Sequence, residues 1–86
     1  LWVLAFDFNQ VSDISPLSDL ANLWSVHFKQ NQVSDISPLL SNTNLGDGDD
    51  IDMRHNNLTL APGGVDMDNI QKLLDKGIKV EYDPQN

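Results

Sequence analysis

Apolar and polar positions alternate in three short stretches, Leu4-Ala5-Phe6, Val26-His27-Phe28 and Ile51-Asp52-Met53, which predicts three strands with one buried and one exposed face each. The stretches are copies of one another. Residues Asn9 to Leu17 read NQVSDISPL and recur letter for letter at Asn31 to Leu39, an offset of 31 − 9 = 22. Around that core, Leu1, Leu4, Phe6, Asn9 and Val11 map onto Leu23, Val26, Phe28, Asn31 and Val33. A third copy begins at Leu45 and continues through Ile51, Met53, Asn56 and Leu58. Its Asn lies 56 − 31 = 25 residues on, so the stretch Gly46 to Asp50 carries an insert.

Both complete copies satisfy LxxLxLxxNxL, and a period of 22 falls within the range of leucine-rich repeats. The expected fold is therefore α/β: a leucine-rich repeat solenoid with a short parallel β-sheet on its concave face. A 3₁₀ or short helical convex side and a C-terminal helix-strand cap complete it. One domain, residues 1–86, divides into repeats 1–22 and 23–44, a repeat with insert 45–65, and a cap 66–86. About three such units are the usual minimum for stability, because each buries its apolar face only against its neighbours.

Asn9, Asn31 and Asn56 follow the strands where the chain must turn, and a buried amide there can satisfy backbone groups of adjacent units. Ser15-Pro16 and Ser37-Pro38 read as an N-cap followed by a first helical residue, since Pro has no amide hydrogen to lose at that position. Ile14, Leu17 and Leu20, with Ile36, Leu39 and Leu40, then form the apolar side of the outer layer. In the tail, Asp66 to Lys76 reads as a helix with Ile70, Leu73 and Leu74 on one face, Asp66 or Asp68 as cap and Gly77 as stop. Ile78 to Tyr82 alternates like one more parallel strand, which would cover the end of the stack.

Charge narrows the range of partners. Thirteen acidic against five basic residues give a net charge of −8, which disfavours nucleic acid phosphates and anionic membrane surfaces. Cys is absent, which removes disulfides, thiolate metal sites and Cys nucleophiles together, and no apolar run reaches the length of a membrane span. The sequence opens on Leu1 in mid-motif, so the expectation is a C-terminal fragment of a longer protein.

The chain resembles bacterial internalin-like leucine-rich repeat proteins of the 22-residue type, whose units carry NQISDISPL where this chain has NQVSDISPL. Their final unit often runs through an NxxLGxGD insert, an IDLRxNxL strand, a helix and a GVxVxY strand. Asn42 to Leu58 and Asn69 to Tyr82 look like that unit. The resemblance implies a secreted or surface-attached protein that binds a protein or glycan on the concave sheet face.

Outward strand residues are the ones that differ between copies, and they make the candidate binding face: Trp2, Ala5, Asp7 and Phe8 in the first unit, then Trp24, His27, Lys29 and Gln30. Asp49, Asp52, Arg54 and His55 form the third rung. At a strand spacing of about 4.8 Å, Trp2 should neighbour Trp24, Ala5 should neighbour His27 and Asp52, and Asp7 should neighbour Lys29 and Arg54. Aromatic rings with flanking charges suit a protein hot spot or a platform for a sugar ring. The structural alternative folds Trp2 and Trp24 over onto neighbouring repeats and lets Asp7 and Lys29 neutralise each other.

Other chemistry is weaker. Asp47, Asp49, Asp50 and Asp52 carry oxygen ligands but lack the order of an EF-hand, so the insert is expected to bulge out with Gly46 and Gly48 at positive φ and its carboxylates solvated. His55 stands too far along its strand to close a zinc shell with His27 and Asp52. No Ser or Thr lies in a recognised nucleophile motif, and the Asn57-Leu58-Thr59 sequon matters only in a eukaryotic secretory setting. The expectation is a non-enzymatic monomeric module without cofactor or metal, at the cell surface or outside the cell. A spacer or end-cap and an intracellular regulatory scaffold are the alternatives.

Overall fold

The computed structural model describes residues 2–20 and 22–85, with the backbone alone at Trp2. Four strands, β1 (Trp2–Ala5), β2 (Leu23–His27), β3 (Asp50–Asp52) and β4 (Lys79–Glu81), form one parallel sheet in sequence order. The chain returns between them through a 3₁₀ segment (Ser15–Asp19), α1 (Ser37–Ser41) and α2 (Val65–Asp75). These three pack in a row, and α2 also meets β4. The fold class is thus α/β, with the apolar core between the sheet and the helical side.

Register follows the alternation. Leu4, Val26, Ile51 and Val80 form one row of the ladder, and Ala5, His27, Asp52 and Glu81 the next. The strands end one residue earlier than the pattern predicts, yet the pairing runs on: Phe6 N–H donates to His27 O at 2.9 Å, Phe28 N–H to Asp52 O at 2.9 Å and Met53 N–H to Glu81 O at 2.8 Å. Val26, Phe28, Ile51 and Met53 are buried from the sheet, and Ile36, Leu39, Ile70 and Leu73 from the helical side. Leu4, Phe6 and Val11 are only half-buried, because β1 is an edge strand with a neighbour on one side. Leu1, matched to Leu23 from sequence, lies outside the described residues.

Asn31 and Asn56 hold neighbouring segments together as their position implies. Asn31 Nδ2 donates to Phe6 O and Phe28 O, while its Oδ1 accepts from Val11 N. Asn56 repeats the arrangement with Phe28 O, Met53 O and Val33 N. Asn9 departs from this: it is exposed, and among the described residues its amide reaches only Phe6 O and Asp7 O of its own segment. Phe8, Gln30 and His55, immediately before these Asn residues, all take left-handed backbone with φ of 61°, 62° and 59°. That repeated strain turns the chain out of the strand direction.

Two amides that the sequence reading did not single out extend the same logic. Gln85 closes the far edge, donating to Met53 O and Tyr82 O and accepting from Asn56 N and Leu58 N. Asn42, wholly buried on the helical side, donates to Leu17 O and Leu20 O.

The helix starts differ from expectation. Ser15 and Ser37 are first helical residues, preceded by Ile14 and Ile36 in the N-cap position, with no side-chain cap. Asp13 and Asp35 do the local work instead, each accepting the N–H two residues on, from Ser15 and Ser37, at 2.9 Å. Such an Asx turn competes well because a carboxylate accepts more strongly than a hydroxyl. In the tail, Gly64 is the N-cap of α2, and Asp66 turns back to accept Thr59 N–H at 2.8 Å. Leu74 is exposed, so the buried face of α2 is Ile70 and Leu73, with Met67 packed against them. Gly77 does terminate the helix, at φ 84°.

The insert is also not a free bulge. Gly48 N–H donates to Gly77 O at 3.2 Å and Lys79 N–H to Asp49 O at 2.9 Å, which clamps the insert to the start of β4. Only Gly48 of its two glycines takes positive φ; Gly46 donates its N–H to Asp49 Oδ2 at 2.8 Å.

Candidate functional site

Residues that alternate with the core row on β2, β3 and β4, joined by Trp24, which the register shift at the start of β2 leaves out of the ladder with β1, line a cleft of about 450 Å³. Trp24 and His27 come from β2, Asp50 and Asp52 from β3, and Lys79 and Glu81 from β4. Arg54 lies just past β3, and Gly48 of the clamped insert forms the rim. The site is built on paired strands, so its backbone positions are fixed by the ladder.

Two ion-pair groups occupy the cleft. Arg54 meets Asp52 in a fork, with Nε to Oδ1 at 3.0 Å and Nη2 to Oδ2 at 2.8 Å, and the same Nη2 reaches Glu81 Oε2 at 3.0 Å. Planar guanidinium against carboxylate gives a rigid, bidentate pair. His27 Nε2 stands 2.6 Å from Asp50 Oδ2 and 3.2 Å from Ser25 Oγ. Ser, His and Asp in contact invite comparison with a catalytic triad, but both contacts fall on the same ring nitrogen. A proton relay needs the two nitrogens to face the two partners separately.

Burial works to raise the carboxyls of Asp50 and Asp52, yet both end below the usual range. The hydrogen bonds from His27 and Ser25, with the charges of His27 and Lys79, outweigh it at Asp50; the bonds and charge of Arg54, with Lys29, do so at Asp52. The backbone and hydroxyl bonds of Ser15 lower Asp13 likewise. A depressed folded-state carboxyl contributes stability that is fully present above its ordinary value of 3.8 and is lost as pH falls through the folded value. The melting temperature is therefore expected to stay level near neutrality and to drop below about pH 4. A calorimetric series across that range that stayed flat would contradict these pairings.

The predicted binding face is only partly assembled. The ladder does bring Ala5, His27 and Asp52 into one row. His27, however, bonds to Asp50 and not to its row partner, because Asp52 is taken by Arg54. Asp7 does not neutralise the Lys29 ammonium: its Oδ1 accepts the Lys29 backbone N–H at 2.7 Å, and Lys29 Nζ lies over the Phe8 ring, 5.4 Å from its centre. Phe8, Gln30 and His55 do not line the cleft, since left-handed backbone at each breaks the strand alternation that would have carried them there. Asp49 is half-buried and committed to the turn at Gly46.

The two tryptophans part company. The ladder shifts register between Trp2 and Val3, so Trp2 pairs with Leu23 and not with Trp24. The side chain of Trp2 lies outside what the structure describes. Trp24 is half-buried, between full exposure and the wholly packed alternative, and it lines both the main cleft and a shallow neighbour shared with Asn22, Asn44 and Asp49.

Asp50, Lys79 and Glu81 were not among the predicted site residues. The signal for them existed: Ile78 to Tyr82 alternates, so Lys79 and Glu81 must share a face, but using it requires the register of β4 on β3. Among the described residues no group of three His, Asp or Glu is placed to hold a metal ion, and no helix is long and apolar enough to cross a membrane. No family model, curated protein or solved structure matches this chain.

Proposed function

We propose that the chain is a leucine-rich repeat module that recognises a protein or glycan through the sheet face, without catalysing a reaction, as part of a larger bacterial surface or secreted protein. The observation that carries this reading is the open cleft on the strands, with Trp24 at its side and two pre-formed ion-pair groups across it. An aromatic ring beside a few fixed polar groups is the composition of recognition sites. The solenoid reading is supported by parallel strands in sequence order, and by Asn31 and Asn56 making equivalent bonds one sequence copy apart. Placement at a bacterial surface rests on the internalin-like letters of the sequence alone.

An architectural role as end-cap is the second reading, favoured by the Gln85 amide that satisfies the last segment. Arrays of immobilised glycans and peptides, probed with the labelled chain, separate the two. Binding that disappears in both Trp24→Ala and Arg54→Ala, with circular dichroism unchanged, supports recognition by the cleft. Ligands that bind both variants as well as the original chain remove the cleft from the function.

A further inference from the structure

We infer that the cleft takes a neutral saccharide, one sugar ring lying against Trp24 and its hydroxyls meeting the open sides of the Asp50 and Arg54–Glu81 groups. The inference rests on the recognition reading above and narrows it to one ligand class. Its basis is how the polar groups are spent.

Each of them is committed on one side and open on the other. Arg54 uses Nε and Nη2 on Asp52 and Glu81, and no protein acceptor among the described residues meets Nη1. Asp50 gives Oδ2 to His27, with Ser25 also bonding the carboxylate, and Glu81 gives Oε2 to Arg54, leaving Oε1 as an acceptor. The Trp24 indole N–H and the Lys79 ammonium donate no hydrogen bond to the described residues, and both line the cleft. Donors and acceptors therefore line one space. Hydroxyl groups, which donate and accept at once, are the complement of such a set.

Charge excludes the simpler ligands. Arg54 is already balanced by two carboxylates, and Asp50 is held by His27 with the charge of Lys79 nearby, so the charges of the cleft largely offset one another. An anionic ligand would meet Asp50, Asp52 and Glu81 within a chain of net charge −8. A cationic one would meet Arg54 and Lys79. A neutral polyol pays neither penalty, and the apolar edge of its ring suits an indole surface. A volume of about 450 Å³ has room for one or two sugar units.

Nuclear magnetic resonance titration of the whole chain tests this, with chitotetraose, cellotetraose and maltotetraose as neutral probes, tetragalacturonate as the anionic one and tetralysine as the cationic one. At least one neutral probe is expected to shift the Trp24 indole resonance and the amides of Asp50 to Arg54, with affinity unchanged by added salt. Trp24→Ala and Arg54→Gln should each weaken that binding by about tenfold or more, while Asn57→Gln, exposed and outside the cleft lining, leaves it unaltered. Absence of binding by all three neutral probes overturns the saccharide assignment. If tetralysine or tetragalacturonate then shifts the same amides, recognition at the cleft survives with a different ligand class; if no probe shifts them, the saccharide assignment falls, and the array experiment with Trp24→Ala and Arg54→Ala decides the cleft reading separately.

Discussion

Phe28→Ala is expected to lower the free energy of unfolding by about 3 to 5 kcal/mol, the usual cost of emptying a large aromatic site in a core. Phe28 is completely buried and stacks on Phe6 with ring centres 5.8 Å apart and planes 13° from parallel. It follows directly after β2, so its ring sits in the middle of the sheet, where segments on both sides would have to collapse to fill the void. A chain of 86 residues has about 4 to 13 kcal/mol of stability in total, so the variant loses a large share of it. Urea denaturation followed by circular dichroism measures the difference. Phe8→Ala is the matched control: Phe8 is 69 % exposed and its one specific contact is Lys29, so a loss of about 1 kcal/mol is the upper bound. Equal losses in the two variants would mean that Phe28 is not the core residue described here.

The second large effect is Asn56→Ala, expected to cost about 2 to 4 kcal/mol. Its side chain is wholly buried, and it binds three carbonyls, of Phe28, Met53 and Arg54, and one amide, of Val33. Some acceptors keep a second donor: Phe28 O retains Asn31 and Met53 O retains Gln85. Val33 N–H has no other acceptor among the described residues, so it becomes a buried orphan, which is where most of the cost arises. Asn9→Ala should cost less than about 1 kcal/mol, because that amide is exposed and water replaces its two bonds. Three identical letters at one motif position thus carry different energies. Denaturation midpoints that ranked Asn9 with Asn56 would refute this account of the amide ladder.

Much of the architecture was legible because it depends on local period and on copying. Alternation located the strands, the repeated NQVSDISPL fixed which residues correspond, and Gly77 marked the end of α2. Errors fell where two chemically similar groups competed for one backbone donor or where backbone strain was hidden. Asp13 and Asp35 displaced Ser15 and Ser37 as local caps, and Leu74 turned outward while Met67 turned in. Nothing in the letters Phe8, Gln30 and His55 announces left-handed backbone, since Gly and Asn are the residues that usually signal it.

The candidate site was legible to a lesser degree. His27, Asp52 and Arg54 were identified from the outward alternation and Trp24 as an outward residue at its strand entry, and all four line the cleft. Their partners were not. Asp50 pairs with His27 only because a β3 residue two rows away on the same face reaches the ring, and Glu81 joins Arg54 only because β4 adds to the sheet beside β3.

Sequence by itself determined the elements and most rows of the ladder, because these follow from a period of two within strands and from the offset between copies; the left-handed residues Phe8, Gln30 and His55 and the register shift at Trp2 escape that period. Tertiary structure alone decided which charges pair, which amide is buried and which is exposed, and where the cleft opens. Those outcomes depend on competition among neighbours brought together from segments more than twenty residues apart, His27 with Asp50 and Asn56 with Gln85 among them, and no local pattern in the chain encodes the result of that competition.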